Sequence, residues 1–254
     1  MKGKEYLGPD SRRVQEMFAK IAHRYDFLNH FLSASIDRRW RSIAVKKVRD
    51  LVGSSPAMCL DACSGTGDLA IALDRGLKTK VIASDFCHPM LYRAGRKPAA
   101  KNIRIVEADA LQLPFSNGAF DALTIAFGLR NLQDPYRGLE EISRVLRPQG
   151  AVVILEFSKP VVPVFRHVFD FYFRRVLPKL GAIISGDGSA YQYLPDSVGK
   201  FPAQEELADM MRRCGFESVQ YRNLSGGIAA LHWGKNGNQA HRVAATPVRI
   251  PSPC

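Results

Sequence analysis

Between Leu60 and Leu69 the chain reads Leu-Asp-Ala-Cys-Ser-Gly-Thr-Gly-Asp-Leu, and Asp85 follows 20 residues after Gly65 at the end of a second apolar run. No other stretch restricts the fold as much. An apolar strand ending at Asp61 must turn through Gly65-Thr66-Gly67, where glycine lets the backbone bend and approach a ligand, before a helix starts near Asp68. The acid at the tip of the next strand is placed to accept hydrogen bonds from ribose hydroxyls. A parallel sheet holding a nucleotide-like cofactor is the expected result.

The motif is not the phosphate form. The third glycine of G-x-G-x-x-G is absent, because position 70 is alanine, and no Gly-Lys-Ser/Thr follows as in a P-loop. A glycine turn flanked by acids, with no lysine, suits a cofactor without phosphates. A sulfonium such as S-adenosylmethionine fits, since nearby carboxylates attract it.

Strand-like and helix-like segments alternate around this turn. Strands are expected at 57–61, 80–84, 103–107, 120–126 and 150–157, and helices at 68–76, 88–97 and 135–146, which argues for an α/β domain. Helical spacing also runs over 10–28 and 35–51. These two helices define an N-terminal lid over 1–52, ahead of a main domain over 53–234. After Pro160 an amphipathic helix rich in aromatic and basic residues is expected over 161–184, then a helix at 203–214. Strands at 216–222 and 227–233 close the domain as an antiparallel pair joined through Gly226-Gly227. The polar, proline-containing stretch 235–254 reads as a disordered tail.

Asp61, Asp85 and Asp109 each stand at a strand end, where open parallel sheets bind ligands. Asp109 and Ala110 are expected to flank an adenine. The fourth strand ends in Phe127-Gly-Leu-Arg130-Asn131, where a substrate should meet the cofactor. Arg130 and Asn131 supply donors there; a guanidinium is too weak an acid to serve as a base, so its expected role is to stabilise an oxyanion or hold a water. The other reading is that Arg130 simply pairs with nearby acids.

The five cysteines lack paired C-x-x-C spacing and read as free thiols, with no metal site. No apolar run approaches the roughly 20 residues that span a bilayer, and the N-terminus has no apolar signal core, so a cytoplasmic location is expected. The net charge of +12 is the one compositional oddity; half of the excess lies in residues 1–50, with 12 Lys/Arg against 6 Asp/Glu. It leaves open a solvated basic face, an anionic membrane surface or nucleic acid.

Phe18-Ala-Lys-Ile-Ala-His-Arg-Tyr25-Asp26 with Asn29, Leu32-Ser33 and Trp40-Arg41 resembles the N-terminal signature of the UbiE/MenG/COQ5 quinone-biosynthesis C-methyltransferases. Phe127–Asn131, Glu156–Pro160, Ile184–Asp187, Tyr191–Pro195 and Tyr221–Ile228 are similar to its remaining signatures, in order. The resemblance implies a Rossmann-like class I fold with a seven-stranded, mostly parallel sheet and S-adenosyl-L-methionine as donor. Carried over by position, the family's cofactor contacts fall on Thr66, Asp85, Asp109, Ala110 and Ala126, beside Asp61, Gly65 and Gly67 of the motif. Four positions depart from the pattern: Cys63-Ser64 replaces Ala-Cys, Ser35 a usual glycine, and Gln149 the first glycine of Pro-Gly-Gly.

The implied reaction is C-methylation of a polyprenylated quinol ring, either a demethylmenaquinol or a 2-methoxy-6-polyprenyl-1,4-benzoquinol. Arg130 and Asn131 would stabilise the phenolate, Tyr25 and Asp26 would close over the cofactor, and Tyr193 would form the opposite wall. The aromatic helix would then dock on an anionic membrane, form a homodimer interface or belong to the core. An RNA methyltransferase is disfavoured: the motif presenting a base amine is absent after the fourth strand, no RNA-binding module is added, and nucleic acid is not expected as a partner.

Overall fold

The computed structural model describes residues 6–26, 35–161 and 189–238. Seven strands form one sheet in the order β3-β2-β1-β4-β5-β7-β6. They are β1 (Met58–Ala62), β2 (Lys80–Asp85), β3 (Ile103–Glu107), β4 (Phe120–Ala126), β5 (Leu146–Phe157), β6 (Phe216–Leu224) and β7 (Ala229–Asn236). The pairs among β1 to β5 are parallel, and β7 runs antiparallel to both of its neighbours. The helices are α1 (Ser11–Ile21), α2 (Ile36–Val52), α3 (Asp68–Gly76), α4 (His88–Arg96), α5 (Pro135–Val145), α6 (Ser189–Lys200) and α7 (Gln204–Arg213).

The central strands are buried on both faces, as a parallel sheet covered by helices requires. On one face Leu60, Ile82, Leu123, Ile125, Val152 and Ile154 pack with Leu139 and Ile142 of α5 and Leu207 and Met211 of α7. On the other, Cys59, Val81, Ala83, Val153 and Leu155 pack with Trp40, Ala44 and Val48 of α2 and Leu69 and Leu73 of α3. The order reverses between β1 and β4, which opens a crevice at their carboxyl ends.

Local chemistry sets the helix starts. Asp10 caps α1 by accepting from the Arg13 N–H, and Asp134 caps α5 by accepting from the Arg137 N–H, with Pro135 at the first helical position.

Three element boundaries differ from the expectation. The helix expected over 10–28 is interrupted: α1 ends at Ile21, a tight 3-10 turn covers Ala22–Arg24, and residues 27 and 28 lie outside the described residues. β5 begins at Leu146 rather than 150: Leu146 pairs with Phe120, the register then slips, and Ala151 resumes opposite Ala122. The turn-forming Pro148-Gln149-Gly150 masked this bulged start. β7 runs through Asn236, so a boundary at 234 cuts a strand. Asn236 is fully buried, its amide donating to the carbonyls of Ser143 and Leu146 and accepting from the Ser143 hydroxyl; that pairing is invisible in a polar sequence.

Residue 52 ends α2, whose apolar stripe is buried in the core it shares with the sheet. α1 and the turn after it lie at the crevice, where Phe18, Ala22 and Tyr25 pack against Phe86, Cys87 and Met90. The aromatic helix expected over 161–184 falls, beyond Val161, outside the described residues, as does the tail from 239.

Candidate active site

A cleft opens at the carboxyl ends of β1, β2 and β4. Gly65, Asp85, Cys87, Asp109, Ala110 and Ala126 form its floor, and Phe18, Tyr25, Phe127, Asn131 and Leu132 stand around the rest. Among the described residues, the lining contains the carboxylates of Asp85 and Asp109 and no Lys or Arg.

Asp85 is built into the turn it serves. Its two oxygens accept from the backbone N–H groups of Gly65 at 2.8 Å and Cys87 at 2.9 Å. Burial pushes its carboxyl above the usual range, against the pull of those N–H groups. A carboxylate has about four lone-pair sites, so capacity remains for ribose hydroxyls. Gly65 has φ +57°, and no atom lies within 4 Å of where a Cβ would stand, so a ligand can approach the bare backbone. Asp109 accepts from the Leu111 N–H at 2.9 Å, which fixes the Ala108–Leu111 turn along the wall.

The other predicted residues divide. Asp61 is 1% exposed and accepts from the hydroxyls of Thr124 at 2.7 Å and Ser64 at 2.6 Å. Its side chain lies on the Cys59 face of β1, beneath the turn, so it braces the cradle without lining it. Burial raises its carboxyl to about 6, opposed by the two hydroxyls. Thr66 is also buried, its hydroxyl donating to Asp26, and Gly67 caps α3.

Arg130 stands apart from the other candidates. It does not line the cleft; its guanidinium is buried against Glu156 at 2.6 Å and also donates to the Phe127 carbonyl. The pairing with a nearby acid is the geometry observed. Burial raises the Glu156 carboxyl, opposed by Arg130. Glu156 also accepts from the N–H groups of Phe157 at 2.8 Å and Arg130 at 3.3 Å. Together they hold the end of β4, where Phe127 adopts φ +58° and Gly128 leaves no room for a side chain beside Cys63. Asn131 does line the cleft, donating to the Phe127 carbonyl at 3.2 Å and accepting from the Tyr193 hydroxyl at 2.8 Å. Burial pushes Tyr193 up to about 12, so at neutral pH it is a hydrogen-bond donor.

Sequence reasoning missed Glu156 as a partner, Lys97 beside Asp26, and the segment before α1. Tyr6 donates to the Arg130 carbonyl at 3.4 Å, and the Gly8 N–H donates to the Gln133 carbonyl at 2.9 Å. A Cβ on Gly8 would collide with the Leu132 carbonyl. Gly8-Pro9 was the one sequence signal for this strap.

A seven-stranded sheet with one antiparallel strand, a glycine turn and an acid at the tip of β2 defines a class I S-adenosylmethionine-dependent methyltransferase. The exposed backbone at Gly65, the two cleft carboxylates and the lack of a lysine fit that cationic, phosphate-free cofactor. The ubiE/COQ5 methyltransferase family matches residues 7–236, and the chain belongs to it. It is 50% identical over 221 residues to the demethylmenaquinone methyltransferase of Thermus thermophilus, covering 86% of this chain and 99% of that one. Against the protein of the same name from Deinococcus radiodurans, identity is 48%, covering 86% and 90%. It is 45% identical to the ubiquinone/menaquinone biosynthesis C-methyltransferase UbiE of Citrifermentans bemidjiense, covering 90% and 98%.

Solved structures add the fold alone. A methyltransferase of Aquifex aeolicus superposes with TM-score 0.54 at 19% identity, covering 75% of this chain and 88% of that one. The cyclase SpnF superposes with TM-score 0.65 at 15% identity, covering 92% and 98%. A cyclase on the same frame means the reaction must be argued from the site.

Proposed function

We propose that this enzyme C-methylates the ring of a polyprenylated quinol, with a demethylmenaquinol as the acceptor and a menaquinol as the product. The observation that carries the reading is the makeup of the cleft. Its donor side holds Asp85, Asp109 and the bare turn at Gly65, while Phe18, Phe127 and Leu132 supply apolar and aromatic surface with Asn131 among them. The names of the two relatives at 48% and 50% identity favour the naphthoquinol.

When bound, S-adenosylmethionine supplies an electrophilic methyl group. Asp85 would hold its ribose, and Asp109 and Ala110 would flank its adenine. Phe18, Tyr25 and Phe127 exclude water and align the acceptor ring. The Asn131 amide donates to the quinol oxygen as phenolate charge develops on it, and Tyr193 orients that amide. Arg130 acts through the Phe127 turn, so it positions the acceptor without touching it. The isoprenoid tail makes a bilayer the source of substrate, and on this reading the enzyme works at an anionic membrane surface; among the described residues no helix is long and apolar enough to cross one.

The test offers short-chain demethylnaphthoquinol and methoxybenzoquinol, kept reduced, with the cofactor, and follows ring methylation by mass spectrometry. Transfer to the naphthoquinol is expected. Transfer to the benzoquinol alone would move the enzyme to the ubiquinone branch. No transfer to either, with cofactor bound, would overturn the reading.

A further inference from the structure

Lys97 follows α4 and lies far from the glycine turn in sequence, yet its ammonium joins two acids from different parts of the site. Nζ is 2.7 Å from Asp26, two residues past the turn that follows α1, and 2.6 Å from Asp68, the first residue of α3. Asp26 in turn accepts from the hydroxyl of Thr66, within the glycine turn. Asp68 is also 3.5 Å from Arg41, which pairs with Asp37 on α2. A continuous run of charges thus crosses from α2 through α3 and Lys97 to the segment over the cleft. The Lys97 and Asp68 side chains are each 23% exposed and Asp26 is 34% exposed, so solvent screens these pairs only in part. A lone surface lysine rarely does more than wave in solvent; one shared by two half-buried carboxylates is fixed.

We propose that Lys97 is a positioning residue for methyl transfer: it latches Asp26, and with it the α1 segment, onto the glycine turn, so that Phe18 and Tyr25 close the cofactor cleft. The inference rests on the cleft being the cofactor site. α1 keeps other attachments, since Gln15 donates to the Phe86 carbonyl at 2.7 Å and Ala22 is buried with Cys87 and Met90. Losing the latch therefore loosens the segment without unfolding the domain.

Hydrogen exchange on the cofactor-free protein tests the latch directly. Lys97→Met should raise exchange over residues 11–26 and leave β5 and β7 unchanged. In calorimetry the same variant should bind S-adenosylmethionine about tenfold more weakly, or about 1.4 kcal/mol. In turnover assays its KM for the cofactor should rise more than kcat falls. Lys97→Arg, which keeps the charge, should recover most of each effect. Raising salt from low to high should weaken binding to the parent protein more than to Lys97→Met, because the attraction being screened is already gone in the variant. Wild-type exchange over 11–26 in Lys97→Met, or a Lys97→Arg variant no better than Lys97→Met, would overturn the proposal. Weaker cofactor binding with unchanged exchange overturns it too, making Lys97 a direct contact. Failure of the parent protein to bind the cofactor would instead sink the reading of the cleft, and the exchange result would stand apart from it.

Discussion

At the scale of single residues, the Arg130–Glu156 pair decides how the acceptor side is built. Both side chains are almost wholly buried, and Arg130 Nε has no hydrogen-bond partner among the described residues. A buried pair of this kind adds little over a well-packed apolar pair, but removing one partner strands the other charge. Arg130→Ala and Glu156→Ala should each cost about 3–5 kcal/mol in urea unfolding. The double substitution should cost clearly less than their sum, as coupled neighbours do; additive losses would show that the two do not act as a unit. The sequence marked Arg130 and Asn131 as donors at the end of the fourth strand, and only Asn131 reaches the cleft. The acid that turns Arg130 inward sits on β5, 26 residues away, a distance across which no local pattern carries a signal.

At the scale of elements, the departures from the family pattern fall at turns. Ser35, Cys63 and Gln149 all adopt positive φ, at 61°, 50° and 62°. Each holds a left-handed conformation that glycine takes without a Cβ clash. Gln149 is exposed and stands where β5 slips register against β4, so its side chain contributes little packing. Gln149→Gly should therefore stabilise the protein by about 0.5–1 kcal/mol, the relief of strain exceeding the added freedom of the unfolded chain. Thermal unfolding of the single variant checks this, and a lower midpoint would mean the glutamine makes a compensating interaction. The helices and central strands themselves were legible, because buried apolar faces repeat with their own period. Their ends were less so: the bulged start of β5 and the buried Asn236 depend on partners in other elements.

At the scale of the whole molecule, acid stability turns on a buried histidine. His232 on β7 lies 1% exposed, its Nε2 donating to the Gln204 carbonyl at 2.8 Å while its ring stacks on Tyr221. Burial pushes its pKa down from 6.5 to about 4, against the effect of that carbonyl. The unfolded chain then binds a proton that the folded one refuses. The stability His232 contributes is present above pH 6.5 and is lost as pH falls towards 4, by about 3 kcal/mol in all. Asp61, raised to about 6, acts in the opposite sense: folding gains as pH falls from 6 to below 4. The net slope of the parent protein also carries the other shifted carboxyls, Asp85 and Glu156 among them. Comparing unfolding free energies of the parent and His232→Gln between pH 7 and 4 isolates the histidine, and the variant should lose less stability over that range. Parallel curves would remove His232 from the account.

What the sequence determined by itself was the frame and the donor. A glycine turn between an apolar strand and a helix, with an acid 20 residues on, is local chemistry, and local chemistry is written in order along the chain. The Asp85 carboxylate and the absence of a phosphate-binding lysine followed from the same stretch, and Asp109 from the end of the third strand. The tertiary structure alone decided which candidates face the cleft. It turned Asp61 under the turn, Arg130 towards Glu156 and Thr66 towards Asp26, and it brought Tyr6, Gly8 and Lys97 to the site from far along the chain. The reason is that a side chain's direction is set by what is packed against its strand or helix, and those partners are chosen by the topology of the sheet and not by neighbours in sequence.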